Sequence, residues 1–125
     1  MLGLGDSLLL PKPGQDIPHL WVILTEPERE TGRVIIVNLT TKRPHSDVTV
    51  VLQPGAHPFV QHETVVNYAD ARLVEIGHLE VAIRSGLCRT HQVFDATVLK
   101  QVQHGLLKSP FTPNKIKTYF RARAT

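Results

Sequence analysis

Residues 33–40 read Arg-Val-Ile-Ile-Val-Asn-Leu-Thr, and this stretch decides the fold class. Valine and isoleucine are stiff at χ1 and suit a pleated surface, so the stretch predicts a β-strand. A second apolar run, Leu-Trp-Val-Ile-Leu-Thr at residues 20–25, predicts a buried strand before it. The charged segment 26–32 between them ends in glycine and predicts a hairpin connection. The chain is therefore expected to be rich in β-structure.

Four weaker segments extend this pair of strands in both directions. They are short apolar or alternating runs bounded by glycine, proline or polar residues. They cover residues 5–11, 48–52, 62–68 and 71–76. The first begins with a turn, and Gly77 is interpreted as the turn that closes the last.

Helix signals appear only near the C-terminal end. Asp95 is a capping residue for a helix over residues 96–104, which Gly105 is expected to end. Thr112-Pro113 is a second start signal, a capping hydroxyl followed by proline at the first helical position. Six short strands followed by one or two helices predict a mainly β, α+β fold. We expect a small antiparallel barrel with a C-terminal helix or helices, forming a single domain over residues 1–125.

The composition is that of an ordinary globular domain. The 125 residues are 42% apolar and 20% charged, and the formal net charge is +3, which weakly favours an anionic partner. Cys88 is the only cysteine, which excludes an intrachain disulfide and favours a reducing compartment. It is interpreted as a small apolar residue and not as a nucleophile. No signal peptide or membrane-spanning run is visible, so a cytoplasmic location is expected.

Several segments occur in the order found in a known family. Gly5-Asp6 opens an apolar strand, residues 19–25 form the next, and residues 37–41 end a third strand in Thr-Thr. A weaker match lies at residues 62–66. Together they resemble the PemK/MazF-like toxins, the endoribonucleases of type II toxin–antitoxin systems. The resemblance implies an SH3-like barrel, a homodimer, an antitoxin protein as partner, and cleavage of single-stranded RNA without a metal or other cofactor.

The same alignment of motifs implies the site residues. His19 takes the position of the family's key arginine, and Thr40, with Thr41 beside it, takes that of the family's threonine. His62 lies close to the fourth matching strand. We therefore expect His19, Thr40 and His62 to be catalytic. The departure at His19 leaves activity open, since a neutral histidine cannot stabilise charge as an arginine does.

RNA cleavage by its own 2′-hydroxyl needs a base, an acid, and donors or cations for the extra negative charge. A histidine can serve as base or acid near pH 7. Thr41, Lys42 and Arg43 form a hydroxyl and two cations that could hold a phosphate, and they are expected to bind substrate. His57 is expected to bind substrate too, because Pro58 would bend the segment that separates it from His62.

Other function classes remain open or are disfavoured. No histidine or cysteine pair has zinc-finger spacing and no His-Glu-x-x-His stretch is present, so no metal site is predicted. The first alternative to an endoribonuclease is a catalytically inactive module that binds nucleic acid or protein on the same barrel. The second is a structural or partner-binding domain with no role toward nucleic acid.

Overall fold

A computed structural model describes residues 2–123. The strands are β1 (Ser7–Pro11), β2 (Pro18–Ile23), β3 (Arg33–Thr41), β4 (Val51–Leu52), β5 (Thr64–Glu75) and β6 (Arg89–His91). The helices are α1 (Ile76–Arg84), α2 (Ala96–Lys108) and α3 (Asn114–Arg123). The strands form one antiparallel sheet in the order β4-β5-β3-β2-β1-β6, curled into a half-barrel. The predicted fold class, mainly β with helices at the C-terminal end, is confirmed.

Both faces of the central strands are buried. On β2, Leu20 and Val22 belong to a core on the concave face, to which α2 and α3 contribute. Trp21 and Ile23 alternate with them and belong to a second core on the convex face, which α1 covers. Since side chains alternate along a strand, two covered faces require a continuous apolar run. This is why residues 20–24 show no polar alternation.

Strand β5 differs from what the sequence predicts. Segments 62–68 and 71–76 were expected as two strands, but they form the single strand β5 with an irregularity opposite β3. Ile36 pairs with Arg72, whereas Asn38 pairs with Asn67, so four residues of β5 face one residue of β3. The predicted strand 48–52 is reduced to the two residues of β4.

Helix α1 was not predicted. It follows β5 without a loop, Glu75 makes no side-chain capping bond, and Gly77 lies in its first turn instead of closing a strand. The usual start signals are thus absent. The remaining sign was the spacing of Ile76, Leu79 and Ile83, which all pack on the convex core. Strand β6 was also missed, because its three residues are too few to show a pattern.

Helix α2 begins as predicted but ends later. The Asp95 carboxylate accepts hydrogen bonds from the backbone N–H groups of residues 97 and 98, which confirms the cap. The helix then continues through Gly105 to Lys108. Gly105 is buried, and it brings the helix against Tyr68, whose hydroxyl donates to the Val102 carbonyl at 2.8 Å. Burial, with a smaller effect of the nearby Asp47 charge, raises the pKa of Tyr68 above its usual range.

Helix α3 confirms the second predicted helix but not its cap. The Thr112 hydroxyl is buried and has no hydrogen-bond partner among the described residues. The Pro113 carbonyl instead accepts from the backbone of residues 116 and 117. Tyr119 fixes this helix to the β2–β3 hairpin, since its hydroxyl donates to Glu28 at 2.6 Å.

Cys88 is 1% exposed in the convex core, and burial raises the pKa of its thiol, so it is a core residue as interpreted. Between residues 2 and 123, no helix has the length and apolarity needed to cross a membrane.

Candidate functional site

The end of β3 and the start of β2 lie side by side because the two strands are antiparallel. Trp21 pairs with Asn38, so His19, two residues earlier, reaches the level of Thr40. Strand β5 begins opposite the same end, with Thr64 paired to Thr41. The topology thus brings His19, Thr40, Thr41 and His62 to the rim of one pocket of about 250 Å³. The rest of its lining consists of Ile17, Pro18, Leu39, Phe59, Gln61 and Thr64.

His62 and Thr41 are in direct contact. The His62 Nε2 atom lies 2.9 Å from Thr41 Oγ1, a good hydrogen-bond distance. The hydroxyl can donate to a neutral ring or accept from a protonated one. No hydrogen bond from any described residue reaches His62 Nδ1, so that nitrogen is available to a ligand.

His19 has a more defined proton position. Its Nδ1 atom lies 3.4 Å from the Leu39 carbonyl oxygen, which can only accept. In that long hydrogen bond Nδ1 carries the proton, and Nε2 of the neutral ring keeps its lone pair. The ring is half-buried at the pocket wall. His19 can therefore act as a base through Nε2.

Comparisons with protein-family profiles, curated proteins and solved structures find no match for this chain. The resemblance to PemK/MazF-like toxins thus stays a prediction.

The two predicted cations differ in their surroundings. Both line a shallow depression of about 510 Å³ next to the pocket, which shares Thr41 and His62 with it. Lys42 Nζ lies 3.6 Å from a Glu63 carboxylate oxygen. A hydrogen bond from Gln53, and then the Lys42 charge, hold the pKa of Glu63 below its usual range. Arg43 has no ion-pair partner within residues 2–123, so it is the cation available to a phosphate.

His57 does not belong to this pocket. It is 2% exposed, and its Nε2 lies 2.8 Å from the Gln92 carbonyl oxygen while Nδ1 accepts from the backbone N–H of Phe59. Its ring packs against that of Phe94, with the ring centroids 4.6 Å apart and the planes tilted by 31°. The structure therefore does not bring His57 together with the other predicted site residues. Its role is structural, since it ties the loop carrying Phe59 to the far edge of the sheet.

His57 should make stability depend on pH. Burial lowers its pKa, the bond to Gln92 opposes this, and the neighbouring His91 lowers it further. Because the folded pKa lies below the unfolded value of about 6.5, the unfolded chain binds more protons below that pH. Stability is then full above about pH 6.5 and falls as the pH drops. Denaturant unfolding between pH 5 and 8 should show a flatter pH dependence for His57→Gln.

The matched control for that measurement is His78→Gln, which changes an exposed histidine on α1. It should keep the wild-type pH dependence. If His57→Gln shows the same fall in stability as wild type and His78→Gln, another group is responsible.

Sequence reasoning missed a polar cluster on the convex face. The irregularity in β5 turns Asp70 toward Lys12, whose Nζ lies 2.8 Å away, and toward the side-chain amides of Asn38 and Asn67 at 3.0 and 3.1 Å. Burial opposes ionisation of Asp70, but the bonds from Lys12 and Asn38 outweigh it and lower the pKa. These contacts join residues up to 58 positions apart, so no local pattern contains them. The cluster fixes β1 against β5.

No group of three or more histidine, cysteine, aspartate or glutamate side chains lies together for a metal within residues 2–123. The pocket can therefore supply imidazole, hydroxyl and apolar groups to a ligand, with one free guanidinium beside it.

Proposed function

We propose that this protein is a PemK/MazF-like endoribonuclease that cleaves single-stranded RNA at the pocket without a metal. The observation that supports this best is the meeting of His19 and His62 with Thr40 and Thr41 at one pocket rim. Two imidazoles can supply the base and the acid that the reaction needs near neutral pH. A cytoplasmic location, a homodimer and an antitoxin partner belong to the same proposal.

The base in this mechanism is His19. Its Nε2 takes the proton of the RNA 2′-hydroxyl, and that oxygen forms a bond to the adjacent phosphorus. The bond from phosphorus to the 5′-oxygen of the next nucleotide breaks, which leaves a cyclic 2′,3′-phosphate. The Leu39 carbonyl accepts from Nδ1 and so keeps the ring in the tautomer that a base requires.

The acid is His62. When its ring is protonated, Nε2 donates to the Thr41 hydroxyl, and the Nδ1 proton is free for the departing 5′-oxygen. The proton balance is complete, since one histidine gains a proton as the other loses one. The Thr41 contact orients the ring for this transfer.

Charge on the phosphate is held by hydroxyls and by Arg43. No lysine or arginine is among the described residues lining the pocket itself. Thr40 lines both the pocket and a neighbouring depression in which Arg43 lies, so a phosphate beside Thr40 can reach the guanidinium. This arrangement replaces the arginine that the family has at the position of His19.

The direct test is incubation of the purified protein with a long single-stranded RNA in the presence of EDTA. We expect cleavage fragments that end in a cyclic phosphate, and the same RNA carrying 2′-O-methyl groups should stay intact because it lacks the attacking hydroxyl. Gel electrophoresis of end-labelled RNA measures both. The proposal is wrong if unmodified RNA stays intact after prolonged incubation with folded protein, with or without Mg²⁺.

A second candidate is a module on the same barrel that binds nucleic acid or protein without cleavage. The Lys42–Glu63 ion pair favours it, because one of the two cations next to the pocket is already neutralised. Salt-dependent retardation of RNA in a gel, with no fragments, is the result this candidate predicts.

A further inference from the structure

Helix α2 carries a stripe of positive and protonatable side chains that the proposed cleavage does not use. Lys100, His104 and Lys108 are exposed and are spaced four residues apart, so they stand on one face about 6 Å from each other along the axis. With Thr49 and Thr97 they line a groove of about 400 Å³ between the helix and the segment before β4. No described carboxylate lies within ion-pair distance of either lysine.

Asp47 links this groove to a depression that adjoins the candidate site. Thr40 lines the pocket and also a depression of about 310 Å³ whose rim carries Arg43, His45 and Asp47. Asp47 connects that depression to α2, since its carboxylate accepts hydrogen bonds of 2.6 Å from both Ser109 and Thr49. Ser109 directly follows Lys108, and Thr49 lines the α2 groove.

The path from the pocket to α2 is basic overall. It carries the permanent charges of Arg43, Lys100 and Lys108, together with His45 and His104, against the single carboxylate of Asp47. Burial disfavours the charge on Asp47, but its hydrogen bonds outweigh burial and lower its pKa. The ionised Asp47 side chain thus links α2 to the loop between β3 and β4. The hydroxyls of Thr49 and Ser109 both donate hydrogen bonds to its carboxylate.

We propose that Arg43, Lys108, His104 and Lys100 form a track that binds the phosphates of a single-stranded RNA running away from the pocket. A linear row of cations suits an extended polyanion better than a compact phosphate, because successive phosphates of one strand each find a partner. The track contains no exposed aromatic residue, so it binds the backbone and not the base sequence. The choice of ligand rests on the proposed function.

The test compares wild type with the double variant Lys100→Gln, Lys108→Gln. Binding of 2′-O-methyl RNA, which cannot be cleaved, is measured by fluorescence anisotropy with oligonucleotides of about 4 and about 16 nucleotides. For the longer one, loss of two phosphate contacts should reduce the salt slope by about 1.4, so a fourfold rise in salt weakens wild type about sevenfold more than the variant. The shorter one should bind both proteins equally.

The matched control is Lys115→Gln, Lys117→Gln on α3, which removes the same charge outside the track. It should keep the wild-type slope. The proposed track is wrong if wild type and the α2 variant have equal salt slopes. It is also wrong if the control reduces the salt slope as much as the α2 variant does. Cleavage of unmodified 4-nucleotide RNA reports on the pocket alone. If the 4-nucleotide RNA is cleaved and the salt slopes of wild type and the α2 variant are equal, only the track is refuted. If that RNA is not cleaved but the slopes differ as expected, only the proposed function is refuted.

Discussion

Alanine in place of His19 is expected to slow cleavage of single-stranded RNA by roughly 10²- to 10⁴-fold, the usual contribution of a positioned base. The variant loses the lone pair of Nε2 but little packing, because the ring is half-buried at the pocket rim. Single-turnover rates in EDTA measure the effect. Thr40→Ala should slow the reaction as well, since it removes a donor next to the phosphate.

The control for this prediction is His78→Ala, an exposed histidine on the helix that covers the opposite part of the sheet. It should cleave at the wild-type rate. Far-ultraviolet circular dichroism and urea unfolding should show that all three variants are folded. Wild-type rates for both His19→Ala and Thr40→Ala would place the reaction elsewhere on the molecule.

Alanine in place of Gly105 is expected to destabilise the protein by up to about 2 kcal/mol. A Cβ at this position would lie 2.5 Å from Cγ2 of Val50 and 2.8 Å from Cζ of Tyr68, closer than such atoms approach. Overpacking of a buried contact typically costs about 1–3 kcal/mol, and the better helix propensity of alanine returns at most about 1 kcal/mol. Urea unfolding at equilibrium measures the net change.

Two further variants identify the cause. Gly77→Ala changes a helical glycine with no atom near its would-be Cβ, so it should stabilise the protein by up to about 1 kcal/mol. Tyr68→Phe removes the hydroxyl that a Cβ at residue 105 would meet first. The double variant with Gly105→Ala should therefore lose less free energy of unfolding than the sum of the losses in the two single variants. Strict additivity would mean that the clash with Tyr68 does not determine the cost.

The strands were predictable where local composition and burial agree. Residues 20–24 and 34–37 are continuously apolar because both faces of β2 and β3 are covered, so each run marks a buried strand. Helix α1 was not predictable in the same way, because it starts without a capping side chain. Gly105 was taken for a helix end, since the close approach of Tyr68 that requires a glycine there depends on a residue 37 positions away.

The candidate site was predictable only in part. The family resemblance grouped His19, Thr40 and His62, and the antiparallel strands bring these positions and Thr41 to one pocket rim. His57 lies apart from them because it contacts Gln92, 35 residues away, and no local pattern reveals that contact. The stripe on α2 is visible as a four-residue spacing, but its link to Arg43 depends on the Asp47–Ser109 bond across 62 positions.

The pairing of β1 with β6 has a consequence for how the chain is made. Ser7 pairs with His91, so the outer edge of β1 has no strand partner on the growing chain until residue 91 has left the ribosome. An open strand edge is a template for pairing with other chains, and contacts between distant residues form slowly. During translation, β1 to β5 can assemble first, and the outer edge of β1 stays open to pairing with other chains until β6 has been synthesised. Slower synthesis of residues 76–91 would therefore increase the fraction of the protein that is lost to aggregation during translation.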